Sequence, residues 1–254
     1  MPFTFSHPAI ALPLKALKPE WFSTTGLVVG SIAPDFVYFL KMGGSADFGH
    51  TLAGIFILDI PLSFFIALAF HLWARNVLIL HFPAPLDKKY SDFLPYDFLS
   101  YLKRHWFLFL VSSVAGILSH LFWDDFTKPD GFVYYISPSF FSQKIHIGPV
   151  VTPLHMLIER AGSVLGLLFL IWVIWRKKQP SLTFTPFSLR RKVVFWLSLF
   201  VSAAIVTAVK LLLDKEGDSI SYYVVVLTSA GVLSLAFVTI MAYVLGQLVK
   251  KGKA

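Results

Sequence analysis

In the stretch SHLFWDDFT, residues 119–127, His120, Asp124 and Asp125 stand at the end of an apolar run, where hydrocarbon tolerates them only for a reason. His120 and Asp124 are four residues apart, so on a helix they share one face, one turn from each other. His155 and Glu159 repeat the spacing. Such a pair offers an imidazole nitrogen and a carboxylate oxygen that converge on a divalent cation without straining the backbone. Asp35 after Pro34, His50 in FGHTLAG, His7 in TFSHP and His146 add candidates. Each also has a structural reading: solvated helix ends, a terminus capped by His7, or Asp124 or Asp125 paired with Lys128. Asp125, turned about 100° from Asp124 on a helix, and Thr127 read as supporting groups. Asp59, inside an apolar run, is either an acceptor from a ligand histidine or a protonated group bonded between helices. With no cysteine in the chain, His and carboxylate are the strong ligands left for a borderline metal such as zinc. GxSxG, Walker and GxGxxG motifs are also missing, so an enzyme built here would use water activated by an ion.

The elements that must position these groups are membrane helices. Of 254 residues, 56% are hydrophobic and 14% charged, and the mean hydropathy is +0.71. A soluble domain of this length cannot hide that much apolar surface. Stretches 51–74, 106–123, 157–175, 193–213 and 222–249 are long and apolar enough to span. Residues 22–40, broken by Gly26, Gly30 and Pro34-Asp35, predict a short interfacial or re-entrant helix and a turn, and 82–101 predicts a loop. The expected fold is an all-α polytopic bundle of about five transmembrane helices plus that N-terminal helix. It forms a single domain, with the metal-site region in 1–175 and a two-helix scaffold in 176–254. No removable signal peptide is evident at the start.

Charge suggests a sidedness. Arg75, Lys88, Lys89, Lys103 and Arg104, then Arg176, Lys177, Lys178, Arg190, Arg191 and Lys192, then Lys250, Lys251 and Lys253 fall on one side and mark it as cytoplasmic. Lys15, Lys18, Lys41, Lys128, Lys144 and Lys215 fall on the other, with the N-terminus and every candidate ligand. The net charge of +8 is then a topology and headgroup signal, and no nucleic-acid partner is expected.

In chain order the candidates run His7, Asp35, His50, His120-xxx-Asp124, His146, His155-xxx-Glu159. This resembles the zinc-dependent phospholipase C and P1-nuclease family, all-helical enzymes whose trinuclear zinc site uses those residue types in that order. The segments MPFTFSHPAIALPL, GSIAPDFVYFL, GHTLAGIFILDIPL, SHLFWDDFT and GSVLGLL, within residues 1–168, are more specifically similar to bacterial integral-membrane proteins of unknown function that open with MPFTFSHP. They are similar too to the related membrane-bound metal-dependent hydrolases known as LexA-binding inner-membrane hydrolases. The resemblances imply an inner-membrane hydrolase holding one to three divalent ions, zinc foremost. Asp35, His50, His120, Asp124, His155 and Glu159 would be ligands, with His7 and His146 completing a cluster and Asp35 bridging and acting as general base. The expected substrate is a phosphoester or related bond of a lipid headgroup at the outer leaflet. A non-catalytic metal-binding, transport or structural protein, and a ceramidase-like amidase, stay open as alternatives.

Overall fold

The computed structural model describes residues 3–43, 47–128, 131–181, 184–214 and 220–251. Met1 and Pro2 of the opening motif, and Lys215 and Lys253 of the charge pattern, lie outside the described residues. The chain is an all-α bundle. Short helices α1 (Pro8–Leu17), α2 (Thr24–Gly30) and α3 (Phe36–Lys41) precede the long helices. Those are α4 (Leu52–His81), α5 (Phe98–Asp125), α6 (Leu154–Arg176), α7 (Leu189–Leu213) and α8 (Ile220–Lys251). All five are long and apolar enough to cross a membrane.

Several details differ from the expectations. Helix α4 runs on to His81 through two π turns, Ile55–Asp59 and Phe70–Ala74. Residues 98–101, expected in a loop, already belong to α5, because Asp97 caps it: Oδ1 accepts from the Ser100 N–H at 3.1 Å and Oδ2 from the Ser100 hydroxyl at 2.6 Å. A kink at His105 (φ −127°, ψ 29°) then separates this polar start from the apolar span. Helix α1 was not anticipated, since a ten-residue segment with Pro8 and Pro13 gives no span signal; Pro8 sits at its first turn, where its missing N–H costs nothing. Nor was the antiparallel hairpin of β1 (Lys144–Ile147) and β2 (Val150–Pro153), whose turn uses Gly148 at φ +59°.

The fold divides into two compact units. The first comprises Met1–Asp35, Asp47–Phe65 and Leu102–Arg176. Its central contact is a seam of small residues between α2 and α5. A Cβ on Gly30 would lie 2.1 Å from the Ser113 carbonyl oxygen, and one on Gly116 would lie 2.4 Å from that of Leu27. Only bare backbone allows this approach. The Ser112 hydroxyl accepts from the Ser23 N–H at 2.7 Å and donates to the Leu108 carbonyl at 2.6 Å, which fixes the register of the two helices. The N-terminal strand of chain is strapped to α6: the Phe3 N–H donates to the Ser163 hydroxyl at 2.9 Å.

The second unit comprises Phe36–Ala46, Ile66–Tyr101 and Lys177–Ala254. Val77, Phe195, Leu199 and Val238 form its apolar core. Lys192 pairs with Asp87 in this unit, both largely sealed from solvent. The Trp196 indole N–H donates to the His81 carbonyl at 2.8 Å, and Lys177 reaches Asp92 at 2.7 Å.

Candidate metal centre

Within the first unit, Asp35, His50, His120 and Asp124 converge: each offers one ligand atom, and these atoms all lie within 4.8 Å of one another. Their placement follows from the elements. Three residues of helical turn, Ala33–Asp35, carry Asp35 away from the end of α2. His50 ends the turn Asp47–His50 just before α4 begins. The last two turns of α5 supply His120 and Asp124. The seam determines where those turns stand, and with α2 drawn so close, the Ser31 carbonyl reaches His120 Nδ1 at 2.9 Å.

That hydrogen bond has a chemical consequence. Nδ1 donates to the carbonyl, and Nε2 is the nitrogen that faces the carboxylates. His120 Nε2 lies 3.5 Å from Asp35 Oδ1 and 3.8 Å from Asp124 Oδ2. His50 Nε2 lies 3.6 Å from Asp35 Oδ1 and 3.3 Å from Asp124 Oδ2. These separations exceed the roughly 3.2 Å limit of a good N–H···O bond. They suit ligands around a cation, because atoms bound at about 2.0–2.1 Å in a tetrahedron stand about 3.3 Å apart. Asp35 Oδ1 and His120 Nε2 are buried and have no hydrogen-bond partner among the described residues. Orphaned polar atoms of this kind are costly unless something absent from the chain itself binds them. The residues therefore fit a divalent ion.

Asp35 and Asp124 are both almost fully buried. Burial pushes the Asp35 carboxyl up, but the approach and charge of the His120 imidazole, with the hydrogen bond from Thr4, hold it below the usual carboxylate range. The Thr4 hydroxyl donates to Asp35 Oδ2 at 2.7 Å, leaving Oδ1 to face the histidines. Thr4→Val keeps the volume and deletes this bond. Loss of such an outer partner typically weakens metal affinity about 10–100-fold, so competition with a chelator should show a fall of about tenfold or more, and unchanged affinity would refute the role given to Thr4.

His7 stands beside the group. It is fully buried, its ring stacks on that of His120 with centroids 3.9 Å apart, and its Nε2 is 3.6 Å from Asp124 Oδ1. Neither ring nitrogen has a hydrogen-bond partner among the described residues. Burial first, and the neighbouring His120 second, pull it down to about 3 against the attraction of Asp124 and Asp35, so it is a neutral imidazole. Lys128 Nζ lies 2.8 Å from Asp124 Oδ2, so the ion pair considered for Asp124 forms alongside the cluster.

The other candidates are placed differently. His146 lies on β1 with an exposed side chain, outside the group. His155, at the start of α6, donates from Nδ1 to the Phe141 carbonyl at 3.2 Å and packs on Tyr134. Glu159, one turn on, is likewise not among the converging four. The HxxxE spacing puts His155 and Glu159 on one helix face, outside the group that α5 and the N-terminal segments form. Asp125 accepts from the Phe132 N–H at 2.7 Å and organises the loop after α5. Thr127 donates to the Asp124 backbone carbonyl at 2.9 Å and closes the helix end beneath the site. Asp59 is fully buried, and neither of its oxygens meets a partner among the described residues, so neither bond expected of it is formed. Sequence reasoning overlooked Thr4, Ser31 and Ser163, single hydroxyl residues whose roles depend on contacts across the fold; the SHP opening was the only local sign.

Residues 1–250 match a family described as a domain of unknown function, DUF4184. No curated protein and no solved structure matches the chain.

Proposed function

We propose, for a chain that belongs to the DUF4184 family, a membrane-bound, metal-dependent hydrolase that acts on a phosphoester or related bond of a lipid headgroup, with zinc as its ion and the non-cytoplasmic leaflet as its working face. The observation that carries this reading is the convergence of Asp35, His50, His120 and Asp124 within 4.8 Å in a largely buried setting. When bound, a divalent cation supplies Lewis acidity and a water-derived nucleophile near neutral pH.

The chain's own residues do the rest. The Ser31 carbonyl holds the His120 tautomer, and the Thr4 hydroxyl orients Asp35 so that Oδ1 points inward. Asp35, held ionised, is the group we assign as acceptor of the proton released when water attacks. Lys128, whose side chain is 30% exposed, stands between the buried carboxylates and solvent. An ammonium there favours a substrate carrying negative charge.

A lipid substrate is supported by the neighbouring surface. A cleft of about 260 Å³ is lined by Ala9, Ile10, Trp123, Leu165, Gly166 and Phe169, together with Ser6 and Gly162. Two of these, Ser6 and Trp123, are chain neighbours of His7 and Asp124, and the lining is largely apolar. An acyl chain held there would bring its headgroup towards the cluster.

Metal analysis of the purified protein, combined with a panel of phospholipids in mixed micelles, tests the reading. The expected result is a stoichiometric divalent ion and headgroup release from at least one anionic phospholipid, abolished by chelation and restored by zinc. A protein that neither carries nor takes up zinc would end the proposal; a metal-loaded protein inert towards every lipid would retain the centre and remove the hydrolase.

A further inference from the structure

Arg75 is a buried cation that no carboxylate of the described residues ion-pairs. It follows the second π turn of α4 and is only 6% exposed. Nε donates to the Asn76 side-chain oxygen at 2.9 Å, Nη1 approaches His71 Nδ1 at 3.3 Å, and the guanidinium lies 5.6 Å over the Tyr96 ring. Every one of these partners is a neutral group. No carboxylate of the described residues lies within ion-pairing distance, whereas Lys192 and Lys177 of the same unit have Asp87 and Asp92. Asp97, the acid whose charge bears on Arg75, accepts at both oxygens from Ser100 to cap α5.

The surroundings hold the guanidinium still. His71 stacks on Phe98 with centroids 4.0 Å apart, and the π turn sets His71 and Arg75 on one side of α4. Single π turns recur at functional sites, because the inserted residue re-aims the side chains that follow. A sequestered guanidinium without an ion-paired carboxylate is costly, and its planar fork matches phosphate oxygens. The position, near the end of α4 and beside the start of α5, is where a membrane helix meets headgroups.

We propose that Arg75, with His71 and Tyr96, is a second ligand site that takes a phosphate group. The site is independent of the metal centre and stands whether or not the hydrolase reading does. A lipid headgroup and the free anion present the same phosphate oxygens to the fork.

The test is calorimetric titration of the full chain in detergent with inorganic phosphate, with dioctanoyl phosphatidic acid and with dioctanoyl phosphatidylcholine. Wild type should bind at least one of the first two saturably, at least tenfold more tightly than phosphatidylcholine. Tighter binding of phosphatidic acid than of phosphate identifies a lipid site, and the reverse identifies a site for the free anion. Arg75→Gln should weaken that binding at least tenfold while metal content stays at the wild-type level, which separates this site from phosphate held at the acidic cluster. Where Arg75→Gln does not fold, Arg75→Lys keeps the charge and loses the fork, and a fall in affinity of severalfold is expected. Absence of saturable binding by wild type, or equal affinity in wild type and the folded variant, overturns the assignment.

Discussion

Asp124→Asn and His120→Ala should each release the ion from the purified protein while leaving membrane insertion intact. Each change removes a ligand atom from a group of four. The loss should therefore exceed the roughly 10–100-fold that follows deletion of an outer partner. Asn keeps the shape of Asp124 but removes the charge shared by His7, His50, His120 and Lys128. Ala at position 120 also strands the Ser31 carbonyl, which loses its imidazole donor. Neither residue contributes to the apolar surface that drives α5 into a bilayer, so yield in the membrane fraction should match wild type. His146→Ala and His155→Ala provide the contrast, since neither side chain belongs to the converging group. Elemental analysis after gel filtration decides: metal retained by Asp124→Asn, or lost equally from all four variants, would contradict the site as drawn.

The parts of this centre that were legible in the sequence are those governed by local periodicity. His120 and Asp124 are four apart on one helix, and a helix must place them together. Asp35 and His50 were readable as candidates because a proline fixes one turn and an apolar span starts after the other, but their meeting depends on how α2 packs, which no spacing encodes. The same rule pairs His155 and Glu159, which are not among the converging four. Periodicity says that two side chains share a face; it does not say which way that face turns. His7 had the blandest sequence reading, a polar residue near a terminus, yet it is buried against His120 because Phe3 is tied to Ser163 in α6.

The fold shows the same division. Long apolar runs announce membrane helices, because a bilayer demands length and hydropathy and little else. Features set by hydrogen bonding rather than by hydropathy were invisible to that signal: the Asp97 cap that begins α5 early, the π turns of α4 and the hairpin around Gly148. Glycines gave a mixed signal. Gly26 and Gly30 read as breaks in a helix, and the helix is indeed short, but their larger role is to let α2 lie against the backbone of α5.

That role yields the second large effect. Gly30→Ala, the smallest possible addition, should disrupt the first unit severely. Its Cβ would fall 2.1 Å from the Ser113 carbonyl oxygen and 2.8 Å from that residue's carbonyl carbon and Cα. Those atoms are backbone in the middle of α5, so no rotamer change relieves the clash; the helices must separate. Overpacking a core commonly costs about 1–3 kcal/mol through side-chain shifts, and here the cost should reach the upper end or exceed it, because a seam rather than a side chain must move. Separation would also draw the Ser31 carbonyl away from His120, so zinc affinity should fall together with the thermal midpoint. Gly231→Ala in α8 meets nothing within 4 Å and serves as the control; there alanine should be neutral or stabilising by up to about 1 kcal/mol. Thermal unfolding of both variants in one detergent, followed by metal analysis, separates the cases. If Gly30→Ala proved as stable as Gly231→Ala and kept its ion, the close approach of α2 and α5 would not be what positions the metal centre.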